Sequence, residues 1–151
     1  MRKSIVLFAA ILAMVLMTCP AFAQVLVVEA ALCEDVVNRE PVDLITSTDQ
    51  SVLPVVEAGK TGQVFLWTKI KTSEETVVVH SWYKENPNVA ELGPDMHPMS
   101  EIELRVHPSD GFRTWSTASL MPGVSEGMWR VTVTTAADPE NILYQEAFQV
   151  K

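Results

Sequence analysis

Along most of this chain, apolar and polar residues alternate with a period of two, the mark of strands that show one face to a core. The strongest run is Thr76–Tyr83, TVVVHSWY, where three valines and an aromatic pair concentrate strand-forming side chains. Val77, Val79, Ser81 and Tyr83 take one face; Val78, His80 and Trp82 take the other. Both faces are largely apolar, which predicts a central strand covered on both sides. Gln63–Lys71 is the second such run, with Val64, Leu66, Thr68 and Ile70 on one face and Phe65, Trp67, Lys69 and Lys71 on the other. Only the polar link Thr72–Glu75 separates the two runs, and a link that short predicts an antiparallel hairpin.

The remaining segments read the same way. Val25–Glu29 opens as a strand that continues loosely through Leu32, and Glu34–Pro41 is a polar connection ending at a proline. Pro54 lies between Val52-Leu53 and Val55-Val56, so a strand there belongs at an edge. Lys84–Ser100 holds three prolines and Gly93 and reads as a long loop, with a short strand possible near Val89–Leu92. Glu101–His107 turns Ile102, Leu104 and Val106 inward. Pro108-Ser109-Asp110-Gly111 predicts a hairpin turn, with Asp-Gly supplying left-handed geometry before a strand over Phe112–Ala118. Met128–Thr135 sets Trp129, Val131 and Val133 against Arg130, Thr132 and Thr134, and Ile142–Val150 closes with Phe148 and Val150 as core. No helical period of useful length follows Ala23. Seven or so short strands without βαβ alternation predict an all-β fold, an antiparallel, immunoglobulin-like β-sandwich.

The start of the chain differs from the rest. Arg2 and Lys3 precede Ile5–Met17, an unbroken apolar run too short to span a bilayer comfortably. Ala21-Phe22-Ala23 is a small-x-small site, so residues 1–23 read as a signal peptide cleaved after Ala23, leaving one domain over 24–151. The rival is a lipoprotein signal ending at Cys19. Thr18 suits the position before a lipidated cysteine poorly, and Pro20 follows, so the cleavable leader is preferred. The expected location is periplasmic or secreted, without stable membrane insertion after cleavage. The leader takes two of the 11 basic residues and none of the 19 acidic ones, which leaves a charge of 9 − 19 = −10 on the remainder. Such a charge argues against nucleic acid and anionic membranes as partners. One cysteine, Cys33, remains, so no internal disulfide is expected. It sits in an apolar stretch and reads as a small buried side chain.

Candidate chemistry is sparse. His80 lies beside Trp82 on the strongest strand, either as a ligand contact or as a histidine bonded to neighbouring strands. Arg113 and Trp115 share a strand face, and Arg130 leaves its strand opposite Trp129. If those strands are neighbours, Arg130 approaches Trp115, and arginine stacked on tryptophan suits sugars or carboxylates. His80, Trp82, Arg113, Trp115 and Arg130 are therefore the candidate binding residues. The alternative for the arginines is a ladder that stiffens a sheet surface. Ser116 lacks the elbow of a hydrolase, the three histidines show no metal-ligand spacing, and no carboxylate pair stands out. No catalytic constellation, metal site or cofactor is expected.

Several blocks resemble the bacterial family DUF2914. They are Arg39-Glu40-Pro41, Trp67-Thr68-Lys69-Ile70, His80-Ser81-Trp82-Tyr83, Phe112-Arg113-Thr114-Trp115-Ser116, Gly127-Met128-Trp129-Arg130-Val131 and the terminal Phe148-Gln149-Val150. They span about Ala31 to Val150, with a longer segment at Lys84–Ser100 than the family's usual loop. The resemblance implies an exported or membrane-attached bacterial module without an assigned activity, and it supplies no catalytic residues. The expected function is an envelope binding module for a glycan, peptide or protein, the alternative a small periplasmic enzyme. Oligomeric state is open.

Overall fold

The computed structural model describes residues 24–49, 51–85 and 97–151. The expected leader, Cys19, the cleavage site and the possible strand at Val89–Leu92 lie outside the described residues. Within them are nine strands and no helix. They are β1 Leu26–Val37, β2 Glu40–Leu44, β3 Val55–Val56, β4 Gln63–Thr72, β5 Thr76–Lys84, β6 Ser100–Val106, β7 Ser109–Ser119, β8 Gly127–Thr135 and β9 Tyr144–Val150. A four-stranded sheet runs in the order β2-β1-β4-β7, and a five-stranded sheet in the order β3-β9-β8-β5-β6. All pairings are antiparallel except β3 with β9.

The alternation of side chains decides what lies between the sheets. Val64, Leu66 and Ile70 of β4 meet Val78 and Trp82 of β5, Trp129, Val131 and Val133 of β8, and Phe148 and Val150 of β9 in one buried cluster. Trp82 and Trp129 flank Phe148, edge-on at 6.3 Å and stacked at 6.2 Å between ring centroids. Trp129, Phe148 and Val150 are core, as their positions in the alternation require. The Pro54 segment is an edge strand, also as expected.

Three local expectations are corrected. β4 and β5 are not a hairpin: β4 pairs with β1 and β7, while β5 pairs with β6 and β8. Pro108–Gly111 is not a hairpin turn either, because β6 and β7 lie in different sheets and Asp110 and Gly111 already belong to β7. Left-handed backbone among the glycines falls at Gly123 and Gly127 instead. In both places the chain crosses from one sheet to the other. A strand with one sealed face can meet that requirement by facing a partner across the core as well as by lying beside it. For β5 itself, Val78, His80 and Trp82 are sealed, whereas Val77, Val79 and Tyr83 are only half-buried.

The third correction concerns the first strand, which runs on to Val37 and turns straight back as β2. Asn38 and Arg39 both have positive φ, 52° and 67°, the two-residue turn whose twist matches a hairpin. This β1–β2 hairpin does not continue the plane of its sheet. Ala31 pairs with Trp67, so a straight continuation would carry Arg39 about 26 Å beyond it. Yet the Trp67 indole N–H donates to the Arg39 carbonyl at 2.9 Å. The hairpin is therefore folded back over the outer face of the four-stranded sheet, and Asp43, between the paired Val42 and Leu44, absorbs a bend with φ 52°.

Candidate functional site

β4 and β7 form a wall with a different chemistry on each side. In the register, Leu66 pairs with Ser116, Thr68 with Thr114, Trp67 with Trp115 and Lys69 with Arg113. Thr68 and Ser116 thus point into the sandwich, while Trp67, Trp115, Lys69 and Arg113 point out.

The inward side carries a buried polar chain that links the two sheets. Ser116 Oγ accepts from Trp82 Nε1 at 3.1 Å and lies 2.8 Å from His80 Nδ1. His80 Nε2 lies 3.4 Å from Thr68 Oγ1, which donates to the Thr114 carbonyl at 3.4 Å. Indole N–H only donates and a carbonyl only accepts, so one assignment uses every contact. Trp82 donates to Ser116, Ser116 donates to Nδ1, Nε2–H donates to Thr68, and Thr68 donates to Thr114. This makes His80 the neutral Nε2–H tautomer. His80 is fully buried, and burial holds its pKa down at about 4. Although Ser116 and His80 touch as a nucleophile and base would, both are sealed inside the sandwich and no carboxylate joins the chain of contacts.

The outward side is covered by the folded-back hairpin. Cys33, Phe65 and Trp67 are buried there, with Val36 of the hairpin packed on them. Burial pushes the Cys33 thiol up to about 11, which makes it unreactive. The hairpin tip is latched by four contacts, one to β4 and three to β7. Beside the Trp67 bond, the Arg39 guanidinium donates to the Arg113 carbonyl at 3.1 Å and sits 5.6 Å from the centre of the Phe112 ring. Glu40 forms an ion pair with Arg113 at 2.9 Å. Trp115, paired with the sealed Trp67, stays 36 % exposed beside this latch.

The candidate residues therefore divide among three environments. His80 and Trp82 are in the interior and reach no surface. Arg113 and Trp115 share the outer face of the four-stranded sheet. Arg130 is on the outer face of the five-stranded sheet, paired with Glu85, its Nε 2.6 Å from the carboxylate. The expected approach of Arg130 to Trp115 is thus corrected: β7 and β8 belong to different sheets, and the sandwich lies between them. Reasoning from the sequence missed Arg39 and Glu40 as partners of Arg113, and Thr68 and Ser116 as partners of His80. Four of the blocks that carry the family resemblance, around Arg39, Trp67, His80 and Phe112, converge on this wall. Their shared residues were the signal available. Among the described residues no cluster of acidic, histidine or cysteine side chains is arranged to hold a metal ion.

The fold has a solved counterpart in an immunoglobulin-like protein from Pseudomonas aeruginosa. That structure is 19 % identical, with a TM-score of 0.51 over 87 % of this chain and 99 % of the other. A family 3 β-glucosidase from Bifidobacterium adolescentis matches at 10 % identity and a TM-score of 0.44, over 85 % of this chain but only 17 % of the enzyme. A β-glucosidase from Kluyveromyces marxianus matches at 14 % and 0.41, over 59 % of this chain and 12 % of the enzyme. The first shows an immunoglobulin-like fold, and the glucosidase likenesses are too slight to carry an argument. No curated protein matches the chain. At the level of families, residues 75–150 match the one described as "Protein of unknown function (DUF2914)", a stretch that holds the His80, Phe112 and Trp129 blocks and leaves the Arg39 and Trp67 blocks outside it. By that match over half of its length, the chain belongs to the DUF2914 family.

Proposed function

We propose that this chain is a non-catalytic binding module of the cell envelope, exported by its N-terminal leader, and that it recognises its ligand through the outer face of the four-stranded sheet around Trp115, Arg113 and Arg39. The observation that carries this reading is Trp115. It stands in a row of aromatic side chains that the hairpin otherwise covers, on a strand braced by β4, with Arg113 two residues away on the same face and the Arg39 guanidinium on the Arg113 carbonyl. An indole face takes a sugar ring or an apolar side chain, and guanidinium forks take carboxylates. A rigid strand holds such groups at little entropic cost. Periplasmic or secreted location belongs to the same proposal, and mass spectrometry of the native protein tests it: a chain beginning at Gln24 is expected, and one beginning at a lipidated Cys19 would refute the cleavage site.

The binding test applies the purified chain and its Trp115→Ala and Arg113→Ala variants to arrays of envelope glycans and random peptides. Binding by the parent that is lost in both variants, with cooperative melting retained, supports the reading. Unchanged binding removes this face from consideration, and turnover of a bound glycan replaces the binding module with an enzyme.

A further inference from the structure

β7 is the outermost strand of its sheet, with no strand on its other side among the described residues. In an antiparallel ladder each residue turns its N–H and C=O to the same neighbour, and successive residues alternate. Three contacts fix the phase. The Leu120 N–H donates to the Gly62 carbonyl, and the Thr114 carbonyl receives the hydroxyl of Thr68 on β4, so even-numbered residues face β4. The Arg113 carbonyl receives the Arg39 guanidinium instead, so odd-numbered residues face outward. The outward backbone groups of Trp115 and Thr117 have no partner strand among the described residues. Phe112–Ser119, FRTWSTAS, contains no proline or lysine and its pairing with β4 shows no bulge there. Natural sheets usually blunt such an edge. Among the described residues the guard is Arg39, which occupies the Arg113 carbonyl and leaves the next two outward positions without a partner.

Charge argues for the occupant. The chain carries a net −8, yet Arg39, Lys69, Lys71 and Arg113 gather at one end of this face, against Glu29, Glu40 and Asp110. Arg39 has no carboxylate partner among the described residues. An acidic segment is repelled by most of the molecule and attracted to this end of β7.

Resting on the reading that this face is the recognition surface, we infer that its partner is an extended acidic peptide added to β7 as a fifth strand. The peptide backbone pairs with Trp115 and Thr117, a side chain packs across from the Trp115 indole, and a carboxylate meets Arg39. Main-chain pairing supplies affinity, while the indole and the guanidinium supply selectivity.

The probe is a peptide selected from a random display library on the purified chain. Enriched peptides are expected to alternate apolar and polar residues and to carry a carboxylate near one end. The decisive variant is Thr117→Pro. It removes an N–H that the fold does not use, at an edge where proline is tolerated. It is expected to melt as the parent does and to bind at least about tenfold more weakly, with Arg39→Ala abolishing the preference for acid. Should that variant fail to fold, the same peptide with alternate amides N-methylated is expected to lose binding equally. Proton exchange is expected to slow at the Trp115 and Thr117 amides in the complex. Failure to enrich any peptide, or equal binding by Thr117→Pro and by the methylated peptide, overturns strand addition. If Trp115→Ala alone then abolishes binding, the face remains the recognition surface without it; if no variant matters, both ideas fall. Self-association of the chain that Thr117→Pro dissolves would make the occupant a second copy and also overturn the peptide.

Discussion

The two sides of β7 show polar groups held under opposite conditions. Inward, Ser116 joins Trp82, His80 and Thr68 in a buried chain where each donor has one acceptor. Outward, a few positions back along the strand, Arg113 meets Glu40 with 40 % and 53 % of their side chains exposed. The interior chain tolerates no missing member, because a buried group left unpaired loses its water without replacement. The outer pair is cheap to break, since water substitutes for either partner. The same strand thus ties the two sheets in register on one side and presents exchangeable contacts on the other.

Substitutions of the tryptophans on the two sides should show the largest contrast. Trp82→Ala removes a sealed indole from the contact with Phe148 and leaves Ser116 short of a donor, so it should cost about 3–5 kcal/mol in chemical denaturation. Trp115→Ala, at a position one-third in water, should cost about 1–2 kcal/mol. Equal costs would mean that the outer face is as much a core as the inner one.

The pH dependence of stability should sharpen the comparison next. His80 has a folded pKa of about 4 against about 6.5 when unfolded, so between these values the unfolded chain binds the extra proton. Stability from the neutral ring is therefore fully present above pH 6.5 and is lost as pH falls toward 4, by about 3 kcal/mol. Carboxylates titrate in the same range, so the measurement is the difference between the parent and His80→Gln, whose side chain cannot charge. Parallel stability curves for the two would show that His80 is not held neutral.

The smallest effect is expected at the outer ion pairs. Arg113→Ala should change stability by less than about 1 kcal/mol, because its carboxylate partner is exposed. Arg130→Ala should cost more, since it and Glu85 are only 23 % and 19 % exposed and Glu85 would keep a partly buried charge. A reversed order in thermal melts would show that the Arg39–Glu40 latch is a main support of the fold.

The residues at this wall were legible to different degrees. That His80 and Trp82 share one face followed from alternation alone, as did the placement of Arg113 and Trp115 on one face; that the first pair is sealed inside the sandwich did not, because both faces of that strand are largely apolar. That Arg130 stands on the far side of the sandwich did not follow, because period two reports a residue's face and not its sheet. The hairpin of Asn38 and Arg39 was hidden for a related reason. Neither residue is glycine, and a polar stretch before a proline resembles a connection more than two strands. Ser116 gives no local sign of its role, because its partners Trp82 and His80 belong to a distant strand in the opposite sheet.

What the sequence determined by itself is therefore local: strand-forming runs, which residues of each share a face, the core places of Trp129 and Phe148, and the all-β class. These follow from the geometry of an extended chain, which sorts neighbouring residues to opposite sides whatever lies beyond. The tertiary structure decided which strands are neighbours, that the β4–β5 and β6–β7 links join different sheets instead of closing hairpins, and that the first hairpin folds back over its own sheet to bring Arg39 and Glu40 to Arg113. Those arrangements depend on how separate faces bury one another across the sandwich, a choice among distant partners that no local pattern of residues records.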